Sequence, residues 1–200
     1  MKNIILTLAF ALAFLGCERN SGENEYNPQL PPITQSGANT FGAIINGKVM
    51  VPRNSIGYVP PGSDHYPVKR SSSSEYEDIF ATDGRTNMGT IYIYIKNIYN
   101  LYPIKVENYM IGQSDGAWSN DTASNTLITA RVFNSNTLEY NIYLSIPNTG
   151  GINVTKSDPN IISGTFSCKL KNKDNPNDII EITDGRFDFN KSTINSTNFP

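Results

Sequence analysis

The acidic side chains and the single histidine are the residues whose types could support hydrolysis. Glu75, Glu77 and Asp78 form the densest acidic cluster, and paired carboxylates are what glycoside hydrolysis requires. Glu75 and Glu77 alternate along a predicted strand, which favours a solvent-exposed face. His65 lies in a Pro-rich loop, and the chain has no second histidine and no Gly-x-Ser-x-Gly motif. The sequence therefore predicts no catalytic residue, no metal site and no cofactor.

Cys17 ends a segment whose pattern is typical of lipid attachment. Lys2 gives a basic start, residues 4–15 form an uncharged apolar run, and Gly16 precedes the cysteine. The run is too short for a stable transmembrane helix, and its ending resembles the bacterial lipobox. We expect removal of residues 1–16, acylation of Cys17 and attachment of the mature chain to a membrane through the lipid.

Cys168 is the other cysteine of the chain. In the segment 166–170 it alternates with Phe166 and Leu170, so a strand there would place all three on one face. Because Cys17 is the predicted lipid site, Cys168 has no partner for an intramolecular disulfide in the folded part. We expect it to be a small buried core residue.

Aromatic residues form the strongest candidate for a binding surface. Between Thr90 and Tyr99, isoleucines alternate with Tyr92 and Tyr94, so the two tyrosines should share the face opposite the isoleucines. Tyr99 and Trp118 lie close by in sequence. An exposed aromatic platform of these four residues would suit a sugar ring or a partner protein. The alternative is that a second layer of the fold covers this face.

Charge argues against nucleic acid as a partner. The 200 residues include 16 Lys or Arg and 18 Asp or Glu, and no basic block occurs. Binding to phosphates needs clustered basic side chains, so this class of partner is excluded.

The segments that position these residues have the sequence pattern of short β-strands. Residues 1–16 are the predicted signal peptide, residues 17–36 a flexible tether rich in polar residues and proline, and residues 37–200 a single domain. Asn46-Gly47 joins two apolar runs and predicts a hairpin. About ten such runs follow one another with turn residues between them and no amphipathic helix. This pattern predicts an all-β fold, an antiparallel β-sandwich with a β-barrel as the alternative.

Both ends of the mature chain carry more specific motifs. The opening segments are 30–42 (LPPITQSGANTFG) and 46–49 (NGKV), and the closing segments are 163–166 (SGTF) and 182–188 (ITDGRFD). Together they resemble a family of Bacteroidota lipoproteins of unknown function. The resemblance implies an outer-membrane lipoprotein and implies no reaction.

One modification and three functional hypotheses follow from the sequence. Asp121-Thr122-Ala123 is similar to the O-glycosylation acceptor pattern of exported proteins in that phylum, which makes Thr122 a candidate glycosylation site. We expect a non-enzymatic, lipid-anchored binding or structural module of the envelope, with a glycan or a protein as its partner. The alternatives are a barrel-like carrier of an apolar or glycan ligand and an envelope hydrolase that uses His65 or the acidic cluster.

Overall fold

Eleven strands and one short 3-10 helix make up the regular structure of the residues that can be described. The computed structural model describes residues 26–57, 66–85, 89–116, 118 and 123–200. The all-β prediction of about ten antiparallel strands is confirmed. The strands are β1 (Thr40–Ile45), β2 (Lys48–Met50), β3 (Val68–Ser72), β4 (Tyr76–Thr82), β5 (Thr90–Lys96), β6 (Asn108–Met110), β7 (Leu127–Asn134), β8 (Glu139–Ser145), β9 (Gly151–Ser157), β10 (Ile161–Asn172) and β11 (Ile179–Asn190), and Ile194–Ser196 form the helix.

The strands form one antiparallel sheet that branches at β10. The main order is β2-β1-β11-β10-β8-β7-β5-β4-β3, and β9 and β6 extend from β10 as a side branch. The branch exists because β10 is long: its first half pairs with β9 and its last three residues pair with β8. The sheet curls into a half-barrel, and its concave face encloses one large core cluster.

Alternation along each strand decides which side chains enter that core. Ile91, Ile93 and Ile95 of β5 are fully buried on the concave face, as the period of two predicts. Cys168 is also buried there, and burial raises the pKa of its thiol to about 12. The prediction of a small buried core residue at Cys168 is confirmed by this position.

The predicted turn at Asn46-Gly47 is confirmed, and a second dipeptide typical of turns lies inside a strand. Asn46 and Gly47 both have positive φ angles, 46° and 78°, as the hairpin between β1 and β2 requires. Asp184-Gly185 is also a dipeptide typical of turns, but it lies inside the continuous strand β11. Asp184 has a φ of 51°, and the pairing register shifts there against both neighbouring strands. The dipeptide therefore forms a β-bulge, which needs the same positive φ as a turn.

Residues 26–39, the N-terminal strap, pack against the outside of the sheet. The Arg53 guanidinium lies 3.5 Å from the ring centroid of Tyr26. Further along, Leu30 and Pro31 lie so close to Gly42 that a side chain on Gly42 would meet them at 2.8 to 3.1 Å. The predicted flexible tether of residues 17–36 is therefore too long, because its last part belongs to the folded domain.

Asp188 of β11 holds the far end of the strap. Its carboxylate accepts hydrogen bonds from the Thr34 hydroxyl at 2.6 Å, the Gly37 N–H at 2.8 Å and the buried Ser163 hydroxyl at 2.7 Å. Ser36 and Ala38 add further N–H donors at 3.0 and 3.2 Å. We call this arrangement the Asp188 clamp. It joins the opening and closing motifs, which lie about 150 residues apart in sequence.

Residues 191–200, the C-terminal tail, cover the exposed edge of the sheet at β3. The Asn195 side chain accepts a hydrogen bond from the Arg70 N–H at 2.7 Å and donates one to the Arg70 carbonyl at 2.8 Å. Ile194 beside it is fully buried. Asn195 thus bonds to β3 as a neighbouring strand would, which protects an edge that could otherwise pair with another chain.

Candidate functional site

Tyr92 and Tyr94 are not exposed. Each retains only 2% of its accessible surface, because Trp118, Ala123 and Leu127 pack with both rings on the outer face of β5. Tyr94 stacks on Tyr76 with centroids 5.7 Å apart. Burial raises the pKa of both phenols. The predicted platform is therefore wrong for these two residues, which form a second small core with Leu127 and Ala123.

Trp118 lies over that small core and forms one wall of an open groove. Its ring is 6.2 Å from Tyr92 beneath it and 6.2 Å from Phe80, which it meets nearly edge-on at 69°. Phe80 is 37% exposed. The groove, called here the aromatic groove, has a volume of 530 Å³. Its lining residues are Phe80, Thr90, Trp118, Arg131, Glu139, Tyr140 and Ile142.

Tyr140 and Arg131 form the opposite wall. Tyr140 is 40% exposed, and its ring is supported from the side by Phe133 at 5.3 Å. The Arg131 guanidinium lies 4.0 Å from the Tyr140 ring centroid. Stacking on a ring orients a guanidinium while leaving its N–H groups available at the edge. Within the described ranges, no side chain accepts a hydrogen bond from Arg131 or forms an ion pair with it.

Strand register brings these residues together from four strands. Thr90 of β5 pairs directly with Arg131 of β7, which pairs in turn with Ile142 of β8. Residues paired in this way point to the same face of a sheet about 4.8 Å apart. Phe80 of β4 lies in the next row, opposite Tyr92. The groove therefore runs across the strands and has a rigid floor.

A smaller groove continues from the other side of Phe80. It has a volume of 150 Å³ and is lined by Arg53, Ser55, Tyr66, Pro67, Lys69, Phe80, Thr82 and Gly84. Lys69 of β3 pairs with Phe80 in the same row as Tyr92. The shared ring of Phe80 thus links two depressions along one line that crosses the sheet from β8 to β3.

Tyr99 does not belong to the aromatic groove. It follows β5 at the end opposite Thr90, about 20 Å away along the strand, and lines a separate surface groove of 460 Å³. Its hydroxyl donates to Glu107 at 3.2 Å, and the Lys105 ammonium lies 3.3 Å from its ring centroid. The structure thus brings only Trp118 of the four predicted aromatic residues to the aromatic groove.

Four residues of the aromatic groove were not predicted from the sequence: Phe80, Arg131, Glu139 and Tyr140. Phe80 had a detectable signal, because it alternates with Ile79 and Ala81, which are both buried in the core. The sequence signal of Tyr140 was misleading, because Tyr140 continues an alternating apolar series with Ile142 and Leu144, which is typical of a core-facing side of a strand. The arginine and the glutamate gave no signal, since exposed charged residues are common on strands of every kind.

The candidate acidic cluster is divided between the two faces of β4. Glu77 was predicted to face solvent, but it is fully buried on the concave side and forms an ion pair with Arg70. The Arg70 Nη2 group donates to its carboxylate at 2.8 Å. Asp78 points outward and accepts hydrogen bonds from the backbone and hydroxyl of Ser71. The three carboxylates therefore do not converge on one cleft.

Three predicted features lie outside the described residues: lipid attachment at Cys17, glycosylation at Thr122 and the loop position of His65. In the described ranges, no three His, Cys, Asp or Glu side chains are grouped closely enough to hold a metal ion. No helix formed by those same residues is both long and apolar enough to cross a membrane.

Comparison with known proteins identifies no relative. No protein-family model matches the chain, and neither a curated protein nor a solved structure shows significant similarity to it. The aromatic groove is therefore assigned on its own geometry.

Proposed function

We propose that this chain is a lipid-anchored binding module of the bacterial envelope that presents the aromatic groove to its ligand. Its anchor would be Cys17, and the resemblance of its end motifs to outer-membrane lipoproteins makes the outer membrane the proposed location. The chain would bind its ligand without transforming it.

The observation that carries this proposal is the exposure of two rings on a rigid support. Phe80 and Tyr140 keep 37% and 40% of their surface open, although each packs against another ring. Large apolar side chains held in the open beside polar groups are typical of binding surfaces. The alternative of a central carrier would need space inside the half-barrel, and the large core cluster occupies that interior.

Anchorage is tested by Cys17→Ser in the full chain. We expect the wild-type protein to incorporate labelled fatty acid and to remain with membranes after a high-salt wash, because two or three acyl chains give firm attachment. The variant should lose both properties. Cys168→Ser, which changes only the buried thiol, is the matched control. Unchanged lipid labelling of the Cys17 variant would show that the anchor is elsewhere.

Binding through the groove is tested by sedimentation of the detergent-solubilised mature chain with purified cell-envelope material. Tyr140→Ala should reduce the sedimented fraction, whereas Tyr99→Ala, at the far end of β5, should leave it unchanged. Equal reduction by both substitutions would contradict the assignment of the groove. Unfolding curves of both variants confirm that the comparison is made between folded proteins.

A further inference from the structure

We infer that the ligand of the aromatic groove is a neutral oligosaccharide that lies across the strands. This inference rests on the proposed function, since both use the same groove. It adds the chemical class of the ligand, its approximate length and its direction on the sheet.

The rings of the groove supply the first part of the inference. Phe80 and Trp118 form one wall and Tyr140 the other, and the floor is made of side chains from paired strands. Pyranose rings present flat faces of C–H groups, which bury their apolar area well against aromatic faces. A groove with rings on both sides suits ligands that are themselves built of flat rings.

The polar side chains restrict the ligand further. Arg131 has only donors and Glu139, when ionised, has only acceptors, and both line the same groove. A hydroxyl group donates and accepts, so a ligand rich in hydroxyls can satisfy both side chains at once. An anionic ligand would meet the charge of Glu139, and a cationic ligand would meet that of Arg131. The pair therefore favours a neutral polyol.

The length of the binding surface points to several linked sugars. The aromatic groove and the smaller groove beyond Phe80 lie on one line from β8 through β7, β5 and β4 to β3. Four spacings between neighbouring strands give about 19 Å. That span is much longer than one monosaccharide, and Tyr66 at its far end offers another ring.

Trp118 provides a direct reporter, because it is the only tryptophan of the chain. The experiment is a fluorescence titration of the folded mature protein with a panel of neutral gluco-, manno-, galacto-, xylo- and N-acetylglucosamine oligosaccharides, from one to six units. We expect at least one series to change the emission saturably. Affinity should rise with chain length and then level off once the line of subsites is filled. Raising the salt concentration should have little effect, because no net charge is neutralised.

Variants connect the signal to the groove. Tyr140→Ala, which keeps the reporter and removes an exposed ring, should weaken binding about tenfold. Arg131→Met should also weaken it, because it removes the N–H donors and keeps an unbranched side chain. Tyr99→Ala should bind as the wild type does. An equal response of Tyr99→Ala and Tyr140→Ala would overturn the inference.

The other outcomes separate this inference from the proposed function. Binding restricted to acidic oligosaccharides, with affinity that falls as salt rises, would overturn the neutral class and keep a groove that binds glycans. If no sugar alters the emission but a mixed peptide library does so in a Tyr140-dependent way, the glycan assignment is wrong and the binding module stands. If neither class alters it and envelope sedimentation is also independent of Tyr140, both proposals fail.

Discussion

Asp188 and Glu77 are two buried carboxylates in one sheet whose surroundings shift their pKa values in opposite directions. Both retain 1% or less of their accessible surface. Burial alone would raise the pKa of Asp188, but the hydrogen bonds from Thr34, Ser163 and the strap backbone lower it to about 2. For Glu77, burial outweighs the attraction and hydrogen bonds of Arg70 and raises the pKa to about 7.

The difference shows that the number of donors decides the charge of a buried acid. Asp188 receives donors from three hydroxyl groups and three backbone N–H groups on two separate segments, the strap and β10, and these replace the water it lost. Glu77 depends on a single arginine that is itself buried. The Asp188 clamp therefore stabilises the charged carboxylate. At Glu77, Arg70 does not fully offset the free-energy cost of dehydrating the charged carboxylate.

Removal of the Asp188 carboxylate should have the largest effect. Asp188→Ala leaves several buried donors without an acceptor, and we expect it to lower the free energy of unfolding by about 4 kcal/mol. Urea unfolding at pH 7 measures the change. Asp174→Ala, which removes an exposed carboxylate, should change stability by less than about 0.5 kcal/mol. Similar small losses in both variants would remove the distinction between a clamped acid and an ordinary one.

The pH dependence of stability should reveal Glu77. Its pKa is raised from 4.5 unfolded to about 7 folded, so the folded state binds the proton more tightly and stability falls as pH rises through this window. Glu77→Gln should be less stable overall, because Arg70 loses its partner, yet it should lack that decline of about 3 kcal/mol. Asp188 acts oppositely: its stabilisation is present above pH 3.8 and is lost as pH falls towards 2. Parallel profiles for wild type and variant between pH 4.5 and 7 would show that Glu77 does not titrate there.

A single donor of the clamp should matter least. Thr34→Val removes one hydroxyl that donates to Asp188 at 2.6 Å and keeps the shape of the side chain. We expect a loss of about 1 kcal/mol, because the remaining donors still satisfy the carboxylate. Comparison with Asp188→Ala by urea unfolding gives the fraction of the clamp's stabilisation that one hydrogen-bond donor contributes. A loss as large as that of Asp188→Ala would mean that the clamp depends on one bond.

The parts of the fold that local sequence determines were predictable. The Asn46-Gly47 hairpin and the inward isoleucines of β5 follow from preferred dihedral angles and from the period of two. Asp184-Gly185 was not predictable as a bulge, because turns and bulges use the same residues at positive φ. Only pairing with strands far away in sequence decides between them.

The positions of the strap and of the groove residues depend on contacts with residues distant in sequence, which no local pattern reveals. Residues 30–36 have the composition of a tether, and a carboxylate about 150 residues away fixes them in place. The alternation of Tyr92 and Tyr94 correctly indicated the outer face of β5, but it could not show that a later segment covers that face. The same limit applies to Tyr140, which alternates in step with Ile142 and Leu144: alternation identifies one face of a strand but does not show whether another element covers that face.

The strap could also detach and extend without unfolding the sheet. A pull on the N-terminus would reach the Tyr26–Arg53 contact first, then the packing of Pro31 over Gly42, and then the Asp188 clamp, all before it reached the first strand. Release of residues 26–39 would add up to roughly 45 Å of extended chain. With the proposed anchor at Cys17, the half-barrel could move that much farther from the membrane while every strand of the sheet stayed paired.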